Sequence, residues 1–384
     1  MSAGAIVGVG ELAPQRYSAG VTTLSMLATA AIEATHDAGL SRGDIDGLLV
    51  GPQVGETPQH VPATVAEYLG LQPTMANVVD LGGATAAGMA WRAAAAIQAG
   101  MCQTVLCVLG NINERGRVPR SPNRNPIREF DVPFGASGAN TSYAFLAQRH
   151  MARYGTTSAQ LATAVVAQRE NAQLNPKAIF HGTPLTVDDV LNSPFVVEPL
   201  RLLEIVMPCA GAAAFIVTSP ERARDLRHRP VMISGAGEKI THRAMSQAPS
   251  LTSGPLKAAI ASAYRQSGTG PADMDMLQLY DCYSIVIALT LEDAGVCPVG
   301  ESGPWMVEND LTWRGPQPLN THGGQLSFGQ ADLAGGMSHI VEAVHQLRHQ
   351  AGERQIADAR TALVTGNGAT LSEATALVLQ REDV

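Results

Sequence analysis

Residues Asp80 to Gly100 read Asp-Leu-Gly-Gly-Ala-Thr-Ala-Ala-Gly-Met-Ala-Trp-Arg-Ala-Ala-Ala-Ala-Ile-Gln-Ala-Gly. The pair Gly82-Gly83 makes a tight turn, and the Ala-rich run Ala84–Ala99 that follows has the pattern of an amphipathic helix. A glycine turn at a helix N-terminus presents backbone N–H groups, so an oxyanion finds donors and a favourable dipole there. The same device returns late in the chain, where Gly329 to Gly336 opens the helical run Met337–Leu347.

An internal repeat extends this pattern outward. Ala30-Ala31-Ile32-Glu33-Ala34, Gly39, Asp44, Asp46 and Leu48-Leu49-Val50 recur as Ala259-Ile260-Ala261-Ser262-Ala263, Gly268, Asp273, Asp275 and Leu277-Gln278-Leu279. Each copy spells a helix, a glycine turn, an acidic turn and a buried strand. A strand ending in Gly-Asn closes each unit, Thr104–Asn111 in the first and Thr361–Asn367 in the second. Elements recurring in one order point to duplication. Two halves of alternating strand and helix, residues 1–225 and 226–384, predict an α/β fold with a pseudo-twofold axis.

The 384 residues suffice for two packed units, and 45% hydrophobic against 16% charged residues supply a large core. Scarce aromatics (4%) and 38 glycines suit close helix packing and tight turns. A net charge of −8 leaves no basic face for nucleic acid. The opening Met1 to Gly10 reads as a short apolar strand rather than a signal peptide. No apolar run approaches the ~18 residues of a membrane span, and the expected location is the cytoplasm. Five scattered cysteines, with no C-x-x-C pair, read as reduced thiols rather than a disulfide framework or a zinc site. His345 and His349 stand four apart on a helix but lack a third ligand, so they read as a solvated face and no metal is expected. Neither a Gly-Lys-Ser/Thr loop nor a G-x-G-x-x-G after a strand is present, which disfavours a nucleotide fold.

Between the halves, residues 113–196 are poorer in strand signals. They open on a Pro/Arg/Asn-rich segment, Glu114 to Arg128, which is either a solvated loop or a clamp for a phosphorylated ligand. A helical stretch, Tyr143 to Asn171, follows. The whole reads as a large excursion of the kind that covers an active site.

Four segments together resemble the thiolase superfamily, specifically the sterol-carrier-protein-type thiolases and the thiolase-like aldolases that shorten steroid side chains. Gly83-Ala84-Thr85 sits at the nucleophile elbow. Asn175-Pro176-Lys177 through Glu198-Pro199-Leu200-Arg201-Leu202-Leu203 resembles the covering domain, and Ala210 to Ala214 the strand after it. Tyr280-Asp281-Cys282-Tyr283 matches a four-residue catalytic motif. Asn320-Thr321-His322-Gly323-Gly324-Gln325-Leu326, then Gly329-Gln330-Ala331, resembles the Asn-x-x-Gly-Gly and Gly-His-Pro segments. The resemblance implies a thiolase fold: two pseudo-twofold-related βαβαβαββ halves in five αβαβα layers, with a covering loop domain.

Departures from the family pattern bear on function. A working thiolase carries its acyl group on a cysteine, which a histidine activates, and uses a further thiol as acid/base. Here those places hold Gly83, Gln330 and the cysteine-free Gly366-Asn367-Gly368. The four-residue motif, which begins with histidine in sterol-carrier-type thiolases, begins with Tyr280 and keeps Cys282. Thiolytic cleavage needs a covalent acceptor, ordinarily an activated thiolate. Retro-aldol cleavage needs none: a base takes the 3-hydroxyl proton, the Cα–Cβ bond breaks, and donors hold the thioester enolate.

The steroid side-chain aldolases also carry glycine for the nucleophile and have a tyrosine at the place of Tyr280, which implies an acid/base role. A phenol, with pKa near ~10, then needs a stabilised phenolate or acts as a proton donor; a tyrosine capping a buried strand would look the same. Cys282 reads as an acid/base or as inert packing, Asp281 as orienting a neighbour or stabilising its turn. His322 reads as bonding the substrate hydroxyl or holding its loop. Gln330 stands where those aldolases carry a second tyrosine; it exchanges no proton and can only hydrogen-bond. The resemblance also places Gly82, Gly83, Ala84, Asp281, Gly324, Gly366 and Asn367 at oxyanion or substrate-binding positions.

The expected activity is cleavage of a 3-hydroxyacyl-CoA, with a steroid or other lipid side chain, releasing acetyl- or propionyl-CoA. Two alternatives stand beside it: an acyltransferase using Cys282, and a non-catalytic subunit that binds acyl-CoA or lipid. Coenzyme A would enter with the substrate, and no separate cofactor is expected. The family further implies a homodimer with Cys102–Asn111 at its interface, and a small acyl-CoA-binding partner built from an OB-fold and a zinc ribbon.

Overall fold

The repeat is a repeat of one contact. A Cβ on Gly8 or Gly10 would stand 2.2 or 2.4 Å from the carbonyl oxygens of Ala34 and Ala30. Gly235 and Gly237 meet Ala263 and Ala259 in the same way, at 2.0 and 1.9 Å. Strand positions without side chains let the helix backbone approach this closely, which is why alanine and glycine recur together.

A computed structural model describes residues 4–52, 60–116, 127–136 and 138–382, apart from the Arg128 side chain. Residues 117–126 of the Arg-rich segment therefore lie outside the described residues. The first half runs β1 (Ala5–Glu11), α1 (Thr23–Asp37), β2 (Gly47–Val50), α2 (Val61–Leu69), β3 (Met75–Val78), α3 (Thr85–Gln98) and β4 (Thr104–Asn111). An excursion follows with α4 (Gly138–Tyr154), α5 (Ser158–Ala172), α6 (Val187–Asn192), β5 (Phe195–Val197) and β6 (Leu200–Arg201). The chain returns through β7 (Gly211–Thr218) and α7 (Pro220–Ala223). The second half holds β8 (Val231–Ile240), α8 (Leu256–Ser267), β9 (Met276–Gln278), α9 (Ser284–Asp293), α10 (Ser302–Glu308), α11 (Gly324–Phe328), α12 (Gly335–Leu347), β10 (Thr361–Gly368) and β11 (Glu373–Arg381).

Nine strands hydrogen-bond in the order β3-β2-β4-β7-β1-β8-β11-β10-β9. Among the described residues the two half-sheets join where Ala5 and Ile6 of β1 pair with Met232 and Val231 of β8. From that seam they enclose α3 and α12, which pack on strands of both halves. Helices α1 and α2 cover the outer face of the first half-sheet, and α8 that of the second. Helix, sheet, helix, sheet and helix thus form five layers, with separate apolar cores on either side of the first half-sheet.

The acidic turns of the repeat do equivalent work. Asp46 accepts from the backbone N–H groups of Gln103 and Thr104, and Asp275 from those of Arg360 and Thr361. Each carboxylate fixes the start of the strand beside it, β4 or β10. The second copy is shortened at one point: its third strand is a single parallel bridge between Leu277 and Leu319. Pro316 and Pro318 withhold N–H donors before it, and Asn320 turns away with φ of +48°. The side chain of Asn320 takes up the pairing, accepting from Leu279 N at 2.7 Å and donating to Leu279 O at 2.9 Å.

Three expectations need correction. The stretch Tyr143–Asn171 is two helices, α4 and α5, broken at Gly155, whose φ of +78° ends the first before Thr157 caps the second. Cys102–Asn111 is no edge available to a second copy, because β4 is paired with β2 on one side and β7 on the other; the outermost strand of that half-sheet is β3. His345 and His349 do not share a solvated face. His345 is half-buried, and burial lowers its pKa, whereas His349 lies beyond the helix end at φ +58° beside Arg381. Among the described residues no group of side chains could hold a metal ion, and no helix is long and apolar enough to cross a membrane.

Candidate active site

The turn before α3, the loop after β9, the loop between α11 and α12 and the end of β10 converge on one cavity of about 400 Å³. It brings together six residues singled out from the sequence: Gly82, Gly83, Tyr280, Cys282, Gln330 and Asn367. At its centre the phenol of Tyr280 takes the place a side chain at position 83 would need. A Cβ on Gly83 would stand 2.1 Å from Tyr280 Oη, 2.2 Å from Cζ and 2.5 Å from the carbonyl oxygen of Asn367.

Gln330 Nε2 donates to Tyr280 Oη at 3.0 Å, and the Tyr280 N–H donates to Thr365 Oγ1 at 3.0 Å. The ring is 4% exposed. Burial, reinforced by the neighbouring Cys282, pushes the phenol well above its ordinary range, against the opposing effect of Gln330. Near neutral pH the Tyr280 phenol therefore keeps its proton. Burial also raises the Cys282 thiol, to about 12, so it is un-ionised and a poor nucleophile. Asn367 Nδ2 donates to Tyr143 Oη at 2.8 Å and its Oδ1 accepts from Leu371 N, which fixes the far wall.

The other sequence candidates stand behind that wall. Asp281 accepts from the N–H groups of Gln325 and Leu326 at 2.9 and 3.1 Å and pairs with His339 at 3.2 Å, so it caps α11 and stabilises its own turn. His322 is 2% exposed and packs edge-on against Phe328 and His339. Burial drives its pKa well below the usual histidine range, and neither ring nitrogen meets a partner among the described residues. A ring closed in on these sides does not face the cavity where a substrate hydroxyl would lie. Gly324 turns at φ +59° over the Asp281 carboxylate, where a Cβ would stand 2.3 Å from Oδ2. Gly366 lets β10 pass the elbow, where its Cβ would lie 2.8 Å from Ala84 Cα. The Ala84 N–H, expected at an oxyanion, is spent on the Leu81 carbonyl at 3.0 Å because the turn closes on itself.

Sequence reasoning missed several cavity residues. Tyr143 of α4 and Tyr283 stack with centroids 4.1 Å apart, and Tyr283 Oη donates to Asn140 Oδ1 at 2.6 Å. Asp332 lines the cavity two residues beyond Gln330, with its pKa raised to about 6 by burial and by Asp80. Arg243 and Glu373 face each other's charge at the rim. The position of Asp332 directly after the Gly329-Gln330-Ala331 segment was the signal available for it. Arg243 arrives on a loop without a motif.

Residues 237–381 match the family model described as thiolase C-terminal domain-like. A 17-hydroxy-3-oxo-4-pregnene-20-carboxyl-CoA lyase of Mycobacterium tuberculosis is 34% identical over 359 residues, covering 90% of this chain and 91% of the lyase. A steroid side-chain-cleaving aldolase of Thermomonospora curvata is 33% identical over 386 residues, covering 96% of each. Among solved structures, an Ltp2-ChsH2(DUF35) aldolase superposes with a TM-score of 0.90 at 31% identity, over 100% of this chain and 99% of that one. With sequence and architecture in agreement over nearly its whole length, the chain belongs to the thiolase superfamily, in the thiolase-like branch that includes steroid side-chain-cleaving aldolases.

Proposed function

We propose that this chain is a carbon–carbon lyase that cleaves a 3-hydroxyacyl-CoA by a retro-aldol reaction. The observation that carries the proposal is the phenol of Tyr280 standing in the space of a position-83 side chain, held there by Gln330. With no thiol at the elbow and Cys282 un-ionised, acyl transfer has no nucleophile. A buried phenol, by contrast, suits delivery of a proton to a thioester enolate. The side chain taken is a steroid or comparable lipid; this follows from the Mycobacterium tuberculosis relative, whose named substrate carries its 17-hydroxyl β to the thioester carbonyl. Breaking the C17–C20 bond of that ester gives a 17-ketone and propionyl-CoA.

Coenzyme A enters as part of the substrate, and the reaction asks for no further cofactor. The assembly we propose is a homodimer that pairs the outer strand β3, whose Val78 is exposed, together with a small acyl-CoA-binding partner of OB-fold and zinc-ribbon type. The partner proposal is supported by the solved aldolase, which is an Ltp2-ChsH2(DUF35) assembly.

The test is a panel of 3-hydroxyacyl- and 3-ketoacyl-CoA esters, including 17-hydroxy-3-oxo-4-pregnene-20-carboxyl-CoA. Each is incubated with the full chain, alone and with the partner, and short-chain acyl-CoA is followed by mass spectrometry. Hydroxyacyl esters should be cleaved without added CoA, and Tyr280→Phe should lower kcat by about 100-fold or more. Cleavage of ketoacyl esters alone, and only with free CoA, would sink the lyase reading. Binding without turnover of any ester would leave an acyl-CoA-binding subunit.

A further inference from the structure

Retro-aldol cleavage needs an acceptor for the hydroxyl proton, and the groups so far assigned do not supply one. Tyr280 is a protonated phenol, Cys282 a protonated thiol, and His322 is walled off. The remaining titratable groups lining the cavity are Asp80, Asp332 and Glu373, with Arg243 beside the last. Tyr143 and Tyr283 are phenols raised by burial. Asp80 is exposed, and Glu373 lies close to the charge of Arg243. Asp332 differs from both. It sits in the single turn between Gln330 and α12, and its charge is felt by the Tyr280 phenol.

The backbone at Asp332 is in the left-handed region, φ +50°, a conformation that costs a non-glycine residue about 1 kcal/mol and is tolerated best by Asp and Asn. Asn111 at the end of β4 donates to its Oδ2 at 3.3 Å, so strand and turn together hold the carboxylate at the cavity wall. Burial and the nearby Asp80 bring its pKa to about 6, where a carboxylate is ionised at neutral pH yet basic enough to share a proton.

We infer that Asp332 is the general base of this site and takes the 3-hydroxyl proton as the Cα–Cβ bond breaks. The inference rests on the lyase reading. The O–H electron pair becomes the second bond of the new carbonyl, and the pair of the broken Cα–Cβ bond passes into the thioester enolate. Tyr280 gives its phenolic proton to Cα, and Asp332 returns the proton it took to the phenolate. No oxidant or second reactant enters, and the proton count closes.

The test is the pH dependence of kcat/KM for 17-hydroxy-3-oxo-4-pregnene-20-carboxyl-CoA, with the full chain and its partner. Asp332→Asn keeps the shape and suits the left-handed backbone. Its kcat should fall by about 100-fold or more with KM within about threefold, and the acid limb near pH 6 should vanish. Asp332→Glu should keep an acid limb at a reduced rate, and it carries the test if the Asn variant does not fold. An Asn variant that keeps more than a tenth of wild-type kcat, or keeps the acid limb, overturns the role of Asp332 while Tyr280→Phe still reports on the lyase. If the wild type itself cleaves no hydroxyacyl ester, the lyase reading fails and the inference falls with it.

Discussion

A cysteine placed at position 83 restores the side chain on which a thiolase holds its acyl group, and here it has nowhere to go. Its Cβ would lie 2.1 Å from Tyr280 Oη and 2.5 Å from the backbone oxygen of Asn367, against the ~3.5 Å at which such atoms normally meet. The ring cannot yield cheaply, since it is buried and held by Gln330 at 3.0 Å. Overpacking of this kind costs about 1–3 kcal/mol, and losing the Gln330 bond adds about 1 kcal/mol. Gly83→Cys should therefore destabilise the chain by about 2–4 kcal/mol, lower hydroxyacyl-CoA cleavage by about 100-fold and gain no thiolysis. Equilibrium urea unfolding of Gly83→Cys, Tyr280→Ala and the double variant supplies the check. The double variant should be less destabilised than the sum of the two single variants, because removing the ring removes its clash with the new side chain. A Gly83→Cys variant that unfolds at the wild-type midpoint and still cleaves its ester would refute the reasoning.

Two other outcomes follow from burial. Iodoacetamide at pH 7.5 should leave the lyase within about twofold of its starting activity, because the Cys282 thiol, at about 12, offers almost no thiolate; inactivation matched by mass-spectrometric labelling of Cys282 would contradict this. Glu11 lies buried near Ser338 and Lys177, and burial raises its carboxyl from 4.5 to about 7. Between those pH values the native state holds a proton the unfolded chain has lost, so stability falls as pH rises. Glu11→Gln should then be more stable than wild type by about 1–3 kcal/mol at pH 8 and nearly equal to it at pH 4, as measured by urea unfolding.

The layered fold was legible because the repeat is written in small residues. Ala30 and Ala34, and again Ala259 and Ala263, mark where a helix meets a glycine strand, and Asp46 and Asp275 mark where the next strand begins. The convergence of Gly83, Tyr280, Gln330 and Asn367 on one cavity was legible through the family resemblance, whose motif positions they occupy at the ends of strands and helices. Adjacency in a motif did not give direction, however. Tyr280 and Asp281 are neighbours, yet one lines the cavity and the other caps α11, since successive side chains after a strand point opposite ways. His322 shares its segment with Gly324 but is closed in by Phe328 and His339, residues the motif does not name together. Tyr143 was hidden inside a helical pattern in which an aromatic reads as core. Asp332 depends on a left-handed turn, and the signal for it was its place directly after Gly329-Gln330-Ala331.

Asn320 invites a different kind of statement. Its carboxamide offers Leu279 one donor and one acceptor, which is what a peptide group offers, so a side chain impersonates the backbone of an absent strand. A strand is indifferent to which residues compose it, because its pairing is main-chain; an impersonator is not. Aspartate matches asparagine in outline and cannot donate, and leucine matches its bulk and can do neither. The register of Leu279, and with it the placing of the adjacent phenol, is thus entrusted to the chemical identity of one side chain. In exchange the main chain at this point is released from extended geometry and free to turn into α11.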